Sequence, residues 1–469
     1  MADRVRGADT RIAFDAASLA RTVAGTVVRE GDLPIRGGAV DSRRIQAGNA
    51  FFALPGERTD GHQFLVDAAR RGAAALVVTQ ELDRETVDGI AGLPGGGPAV
   101  VSVPDALIAL QQAGAEWRNR FEPMVVGVTG SLAKTSTKEQ IAEVLSERWN
   151  VLRNTANENN EIGLPLTLLG LGPEHEVAVL EMGMYQPGDI MLLSALARPR
   201  IGVVTAVRGT HLSRAGSIED IERGKRELVE ALPSGGTAIL NADDPRVARM
   251  AAAAPSGVGV LTYGFDANAD VGMVDVESLG FEGMRFVLRT TVGEVSVTTP
   301  ALGRHSVHNA LAAAAVGLAA GLDLETIAYG LTRPWSAPHR STMVDFGSIR
   351  VLDDSYNASP DSMIAALDLL ASFETADRRV AILGEMLELG DVALAEHRRV
   401  EGYARQAADL VIALGPYEFA EDRENVMRDI GQRLRPGDIV LIKGSRGAAM
   451  EEFLPVLEAA AKRMPERVA

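Results

Sequence analysis

The stretch from Met124 to Thr135 constrains this chain more than any other. An apolar segment, 124–128, breaks into Thr129-Gly130-Ser131-Leu132-Ala133-Lys134-Thr135, and a helical pattern follows over 135–148. A strand, a short Gly/Ser loop and a helix in that order aim backbone N–H groups and the positive helix end at one point, which suits phosphate oxygens. The lysine then reaches the β- and γ-phosphates, and the threonine beside it offers a hydroxyl to Mg²⁺. Alone, the pattern says nucleoside triphosphate and no more; a strand–turn–helix corner with an incidental lysine is the competing reading. Ala133 stands where glycine usually precedes the lysine. A methyl group there is tolerable at negative φ and costly at positive φ, and a compatible, negative φ is expected.

The surroundings repeat the strand-then-helix pattern. Strands at 177–180, 201–207 and 237–240 alternate with helices, which implies a mostly parallel sheet covered on both faces. Ahead of this section, residues 12–102 read as a small α/β unit with a helix at 64–72, strands at 74–78 and 99–103, and a loop at 93–98. Beyond Pro334 and Trp335, strands at 349–352, 380–383, 410–414 and 439–442 read as a second doubly wound unit. The 469 residues fit about three domains at ~150 residues each. The expected fold is therefore α/β in three domains, at 12–102, 103–334 and 335–469.

Composition narrows the function. A formal charge of −16 argues against coating nucleic acid or anionic membranes. The absence of cysteine removes disulfides, thiol nucleophiles and cysteine zinc sites. The alanine-rich run at 310–322 is too short to span a bilayer and reads as a buried helix. The polar start of the chain has no apolar export segment, so a cytoplasmic location is expected. Basic residues are lopsided: 42 arginines against five lysines, at Lys134, Lys138, Lys225, Lys443 and Lys462. Lysine in such a chain is expected where arginine cannot serve.

Ligands of an open parallel sheet bind beyond the carboxyl ends of its strands. Glu181 closes the strand 177–180, His211 follows 201–207, and Lys225 lies on the next helix. A carboxylate and an imidazole near a phosphate loop suit Mg²⁺ on ATP. Taken singly, Glu181 also fits a solvated strand-end acid, His211 a packed ring or helix cap, and Lys225 a surface charge.

Together these residues resemble the Mur ligase family. Similar motifs run along nearly the whole chain: Asp41-Ser42-Arg43 and Asp60-Gly61-His62; Gly130 to Lys138; Asn159-Asn160-Glu161-Ile162-Gly163; Glu181-Met182-Gly183; His211-Leu212 with Lys225; Asn241-Ala242-Asp243-Asp244-Pro245; Gly303-Arg304-His305 with Asn309; Asp353-Asp354-Ser355-Tyr356-Asn357; and Lys443-Gly444-Ser445-Arg446. The resemblance implies a small N-terminal α/β domain that binds a UDP-sugar, a central P-loop-type doubly wound ATPase domain and a C-terminal Rossmann-like domain. It also implies an ATP- and Mg²⁺-dependent ligase that activates a UDP-muramoyl-tripeptide carboxylate as an acyl phosphate and joins it to the dipeptide D-alanyl-D-alanine in peptidoglycan synthesis. A relative joining a different carboxylate and amine in a specialised pathway is the alternative.

The implied roles follow residue by residue. Gly130, Ser131, Leu132, Ala133, Lys134, Thr135 and Ser136 hold the ATP phosphates. Asn309 faces the adenine, and Arg340 and Asp354 close onto ATP. Thr135, Glu181, His211 and Lys225 serve the metal ions, Lys225 as a carbamate. Lys134, Glu181, His211 and Lys225 are the catalytic group. Asp41, Ser42, Arg43, Asp60, Asn159, Asn160, Tyr356 and Asn357 face the substrates. The partners are small molecules, with neither nucleic acid nor membrane insertion, and the chain is expected to be a monomer. Several positions depart from the family pattern: Ala133; Ser306 and Ser359 in place of asparagines; His339 in place of glycine before Arg340; and Glu385 in place of aspartate. The segment from Leu414 to the last strand is also short by roughly a strand and a helix.

Overall fold

A computed structural model describes residues 13–465 apart from 57–58, 92, 94–96, 156, 210–215, 336 and 374–377. The chain divides into two compact units, one of residues 1–127, 149–184 and 188–200 and one of 128–148, 185–187 and 201–469. The strand Met124–Thr129 starts in the first unit and ends in the second.

The first unit contains a five-stranded sheet. Thr26–Arg29 forms its antiparallel edge, followed by Ala99–Ser102, Ala75–Val78, Ala50–Phe52 and Gly38–Ala39 in parallel. Ala50–Phe52 and Ala75–Val78 are buried at every residue, as expected of strands covered on both faces. The helix Ala106–Asn119 starts at Asp105, whose carboxylate accepts the N–H groups of Leu107 and Ile108. Its buried residues, Ala106, Ala109, Leu110, Ala113, Gly114 and Trp117, fall on one helical stripe. A Cβ at Gly114 would lie 2.8 Å from the Pro165 side chain, so glycine lets the helix Gly163–Leu169 approach. In the same unit the start of the phosphate-loop strand lies beside Val177–Glu181, which pairs in parallel with Val151–Arg153.

In the second unit the end of the phosphate-loop strand neighbours Ile201–Val204, then Thr237–Asn241 and Gly259–Tyr263, the last three in parallel register. The alanine-rich run belongs to the helix Arg304–Ala319, buried over most of its length and packed on the phosphate-loop helix Lys134–Ser146. Along the chain, between Gly259–Tyr263 and that alanine-rich helix, comes an antiparallel three-stranded sheet, Gly272–Ser278, Met284–Thr290 and Gly293–Thr299, which the strand–helix reading does not anticipate. Met284, Phe286 and Leu288 alternate inward along its middle strand. Phe281, in the turn before that strand, stacks on Phe373 at 4.6 Å, and the Arg350 guanidinium sits 3.9 Å above its other side.

The third section of the chain, also in this unit, forms a sheet in the order Thr342–Asp345, Arg350–Asp354, Asp438–Lys443, Arg378–Leu383 and Leu410–Ala413. All pair in parallel except the first, an antiparallel edge. The strands matching those expected at 349–352 and 439–442 are neighbours, so the loops after Asp354 and Lys443 open at the same sheet end. A single helix, Arg423–Arg433, lies between Leu410–Ala413 and the last strand. No helix among the described residues is long and apolar enough to cross a membrane.

Arg378 donates to both carboxylate oxygens of Asp438, at 3.0 and 2.8 Å, and Asp438 is only 1% exposed. Removing the guanidinium strands a buried carboxylate. Arg378→Ala is expected to lower the unfolding free energy by about 3–5 kcal/mol in denaturant titrations followed by circular dichroism. Truncating the exposed Arg399, paired with Glu396 at 2.8 Å, is expected to change it by less than about 1 kcal/mol.

Candidate active site

The phosphate loop is shaped by the segment that follows the strand Ile201–Val204. The sequence pattern carries that strand to 207, but the ladder ends at Val204 and the next four residues turn onto the loop. Thr205 N–H donates to the Thr129 carbonyl at 2.9 Å, and the Thr205 hydroxyl donates to the Leu132 carbonyl at 2.6 Å. Ser131 N–H donates to the Ala206 carbonyl at 2.7 Å. The Ser131 hydroxyl donates to the Arg208 carbonyl at 3.0 Å and accepts the Arg208 N–H at 2.9 Å. Gly130 has φ 150°, and a Cβ there would lie 1.8 Å from the Thr205 hydroxyl, so no other residue fits. Asp244, buried at the end of the neighbouring strand, accepts Val207 N–H at 2.8 Å and the Arg208 guanidinium.

Ala133 departs from expectation. Its φ of 61° and ψ of 4° are left-handed, not negative, immediately before the helix Lys134–Ser146. The bonds at Ser131 and Leu132 hold the loop firmly enough to impose that conformation, at about 1–2 kcal/mol for an alanine. Lys134 Nζ donates to the Gly130 carbonyl at 2.8 Å. Thr135 is buried, Ser136 lies in the same first helical turn, and the Thr137 hydroxyl donates to the carboxamide oxygen of Asn309 at 3.0 Å.

Lys225 lies on the inner face of the helix Ile218–Glu230 with Ile221, Gly224 and Leu228, and is 4% exposed. Burial, reinforced by the charge of Lys134, holds its amine well below the usual lysine range. It makes no hydrogen bond or ion pair with any described residue. His211 lies outside the described residues. Also in this unit, Lys443 Nζ donates to Asp354 Oδ2 at 2.5 Å and to the Asn357 carbonyl at 3.0 Å. The Arg340 guanidinium lies 4.1 Å from the centre of the Tyr356 ring.

The first unit holds the other candidates. Glu181 is 3% exposed and ends its strand. Asn154 clamps its backbone, accepting Glu181 N–H and donating to the Glu181 carbonyl, both at 2.9 Å, while Asn159 donates to Oε1 at 2.8 Å. Asn160 accepts the N–H groups of Ile162 and Gly163. Asp41 caps the turn Ser42–Arg44, where Ser42 is buried, and its bond to the exposed Arg43 side chain holds its carboxyl down to about 2. Asp60 Oδ1 accepts the His62 Nδ1 proton at 2.6 Å; the opposite ring nitrogen accepts Thr79 N–H at 3.0 Å, which fixes that tautomer.

Thr205, Arg208, Asn154 and Lys443 are the supports that motif reading did not assign. Asp244 was visible only as part of Asn241-Ala242-Asp243-Asp244-Pro245. Among the described residues no three histidine, aspartate or glutamate side chains gather as a ready metal cage. Within its own unit, the Glu181 carboxylate aimed by Asn159 is a hard oxygen donor of the kind Mg²⁺ takes. Ala133→Gly is expected to stabilise the protein by about 0.5–1 kcal/mol, read as a raised melting temperature. It should change ATP affinity by less than about tenfold (~1.4 kcal/mol) in calorimetric titration.

Three stretches match domains of one family: residues 34–117 the Mur ligase family catalytic domain, 128–317 the Mur ligase middle domain, and 339–446 the Mur ligase glutamate ligase domain. The UDP-N-acetylmuramoyl-tripeptide--D-alanyl-D-alanine ligase of Synechocystis is 37% identical over 90% of this chain and 93% of its own length. The Bacillus subtilis ligase of the same name is 35% identical over 90% and 92%. Among solved structures, MurF from Acinetobacter baumannii superposes with a TM-score of 0.85 at 29% identity, covering 95% of this chain and 99% of that one. MurF from Thermotoga maritima in complex with ADP gives 0.78 at 26% identity, covering 91% and 98%. The chain is an ATP-using, three-domain α/β ligase, and it belongs to the Mur ligase family.

Proposed function

We propose that this chain joins D-alanyl-D-alanine to the terminal carboxylate of UDP-N-acetylmuramoyl-tripeptide, with ATP cleaved to ADP and phosphate, as a step in peptidoglycan precursor synthesis. The observation that carries this reading is similarity to ligases of that name over 90% of this chain and more than nine-tenths of theirs. The domain limits assigned are 12–102, 103–334 and 335–469, and the protein is taken to act as a cytoplasmic monomer on small molecules.

A carboxylate is a poor electrophile. Its oxygen attacks the γ-phosphorus of ATP, ADP leaves, and the acyl phosphate formed carries a good leaving group. The dipeptide's neutral amine attacks the acyl carbon, the tetrahedral oxyanion collapses, phosphate departs, and the amine nitrogen gives up its proton. In this reading the loop from Gly130 to Thr135 cradles the phosphates, the Ser131 N–H being kept by the Ala206 carbonyl to hold the loop's shape, and Lys134 brings a compact charge to the transferring group. Mg²⁺ supplies charge neutralisation on the phosphoryl oxygens. Thr135, Glu181 and His211 are assigned to it, and the Asn159 amide aims the Glu181 carboxylate. Asn309 is assigned to the adenine, Arg340 and Asp354 to ATP, and Asp41, Ser42, Arg43, Asp60, Asn160, Tyr356 and Asn357 to the two substrates.

Lys225 is assigned as a carbamate. Carbamylation needs the neutral amine as nucleophile toward CO₂, and burial supplies it far below the pH at which an exposed lysine loses its proton. The product is an anion, which suits a buried position within reach of the Lys134 charge.

Purified protein is expected to release phosphate from ATP only when both UDP-muramoyl-tripeptide and D-alanyl-D-alanine are present; no release with that pair rules the reading out. Lys225→Ala is expected to lose at least about 100-fold in kcat (~2.7 kcal/mol), with partial recovery on adding bicarbonate or a short carboxylate. An unimpaired variant would show that the carbamate assignment is wrong.

A further inference from the structure

The turn before the strand Thr342–Asp345 is strained on both sides of one arginine. His339 has φ 62° and Ser341 φ 47°, both left-handed, and Arg340 lies between them. Histidine, with asparagine and aspartate, is among the few non-glycine residues found there with any frequency. Two adjacent carboxylates pin the two flanks. His339 Nδ1 bonds to Asp353 Oδ2 at 2.7 Å, and Ser341 N–H donates to Asp354 Oδ1 at 2.9 Å. Asp353 is buried and its other oxygen is fixed by Ser355, whose hydroxyl donates at 2.6 Å. Tyr356 N–H donates to the His339 carbonyl at 3.0 Å, which puts the tyrosine ring under the Arg340 guanidinium. Arg340 makes no side-chain hydrogen bond or ion pair with any described residue. A guanidinium without a carboxylate partner keeps its donors for an incoming anion.

We propose that His339 is a positioning residue: its ring, bound to Asp353, holds the strained turn that presents Arg340 to the phosphates of ATP. The proposal rests on the assignment of Arg340 to ATP. A glycine at 339 would adopt the same φ without strain but would lose the pin, so strain and pin are separable by mutation.

The measurements are the dissociation constant of a non-hydrolysable ATP analogue with Mg²⁺, which depends on neither peptide substrate, and the melting temperature. His339→Gly is expected to weaken binding about fivefold to tenfold while its melting temperature stays level or rises. His339→Asn, which tolerates the left-handed region and can still donate to Asp353, is expected to bind within about twofold of the parent. Arg340→Ala should weaken binding at least as much as His339→Gly. A His339→Gly protein with parental affinity overturns the proposal. So does a loss that tracks a fall in melting temperature and is not restored in His339→Asn, because that would make the role structural. Parental affinity in Arg340→Ala would instead overturn the assignment of Arg340 on which the proposal rests.

Discussion

The contact between the Thr205 hydroxyl and the Leu132 carbonyl governs the rest of this site. It forms only because nothing but hydrogen occupies the α-carbon of Gly130, and it draws the segment 205–208 off its strand and onto the phosphate loop. With Ser131 tied twice to Arg208, and Arg208 tied to the buried Asp244, the loop is fixed before any nucleotide arrives. Preorganisation of this kind lets backbone dipoles act on developing charge without first being reoriented. It also explains the left-handed alanine at 133: a loop fastened at its neighbours tolerates a local penalty there.

The scarcity of lysine acquires a structural meaning. Lys443 places a compact ammonium between the Asp354 carboxylate and the Asn357 carbonyl. Lys138 is fully buried beside Glu139, with 2.6 Å between the charged groups. Lys225 is buried as an amine that holds its proton weakly. A guanidinium is too broad for the first two settings and cannot be deprotonated for the third.

Much of this was legible in the sequence, and the failures share a cause. Apolar runs such as Ala75–Val78 and Asp438–Lys443 announce strands covered on both faces, and the phosphate loop follows from order and residue type. The three-stranded antiparallel sheet was missed although Met284, Phe286 and Leu288 alternate, because a strand–helix rhythm on either side suggested its continuation. The early end of the strand at Val204, the φ of Ala133 and the Asn154 clamp on Glu181 could not be read at all. Each depends on a partner tens of residues away, and no local pattern encodes a tertiary hydrogen bond. His211 lies outside the described residues, so its placement adds nothing to the comparison.

The same economy of lysine decides what the outside of the molecule can do. With Lys138, Lys225 and Lys443 buried, Lys462 at 71% side-chain exposure is the lysine that stands well into solvent. The surface positive charge is therefore nearly all guanidinium, and it persists to about pH 12 instead of fading through the range where amines titrate. Amine-directed labels or supports, which attack only neutral nitrogen, would meet this lysine first, near the end of the chain and away from the phosphate loop in sequence. Lys134, partly exposed and bonded to the Gly130 carbonyl, is the less accessible second position, so such chemistry concentrates at Lys462.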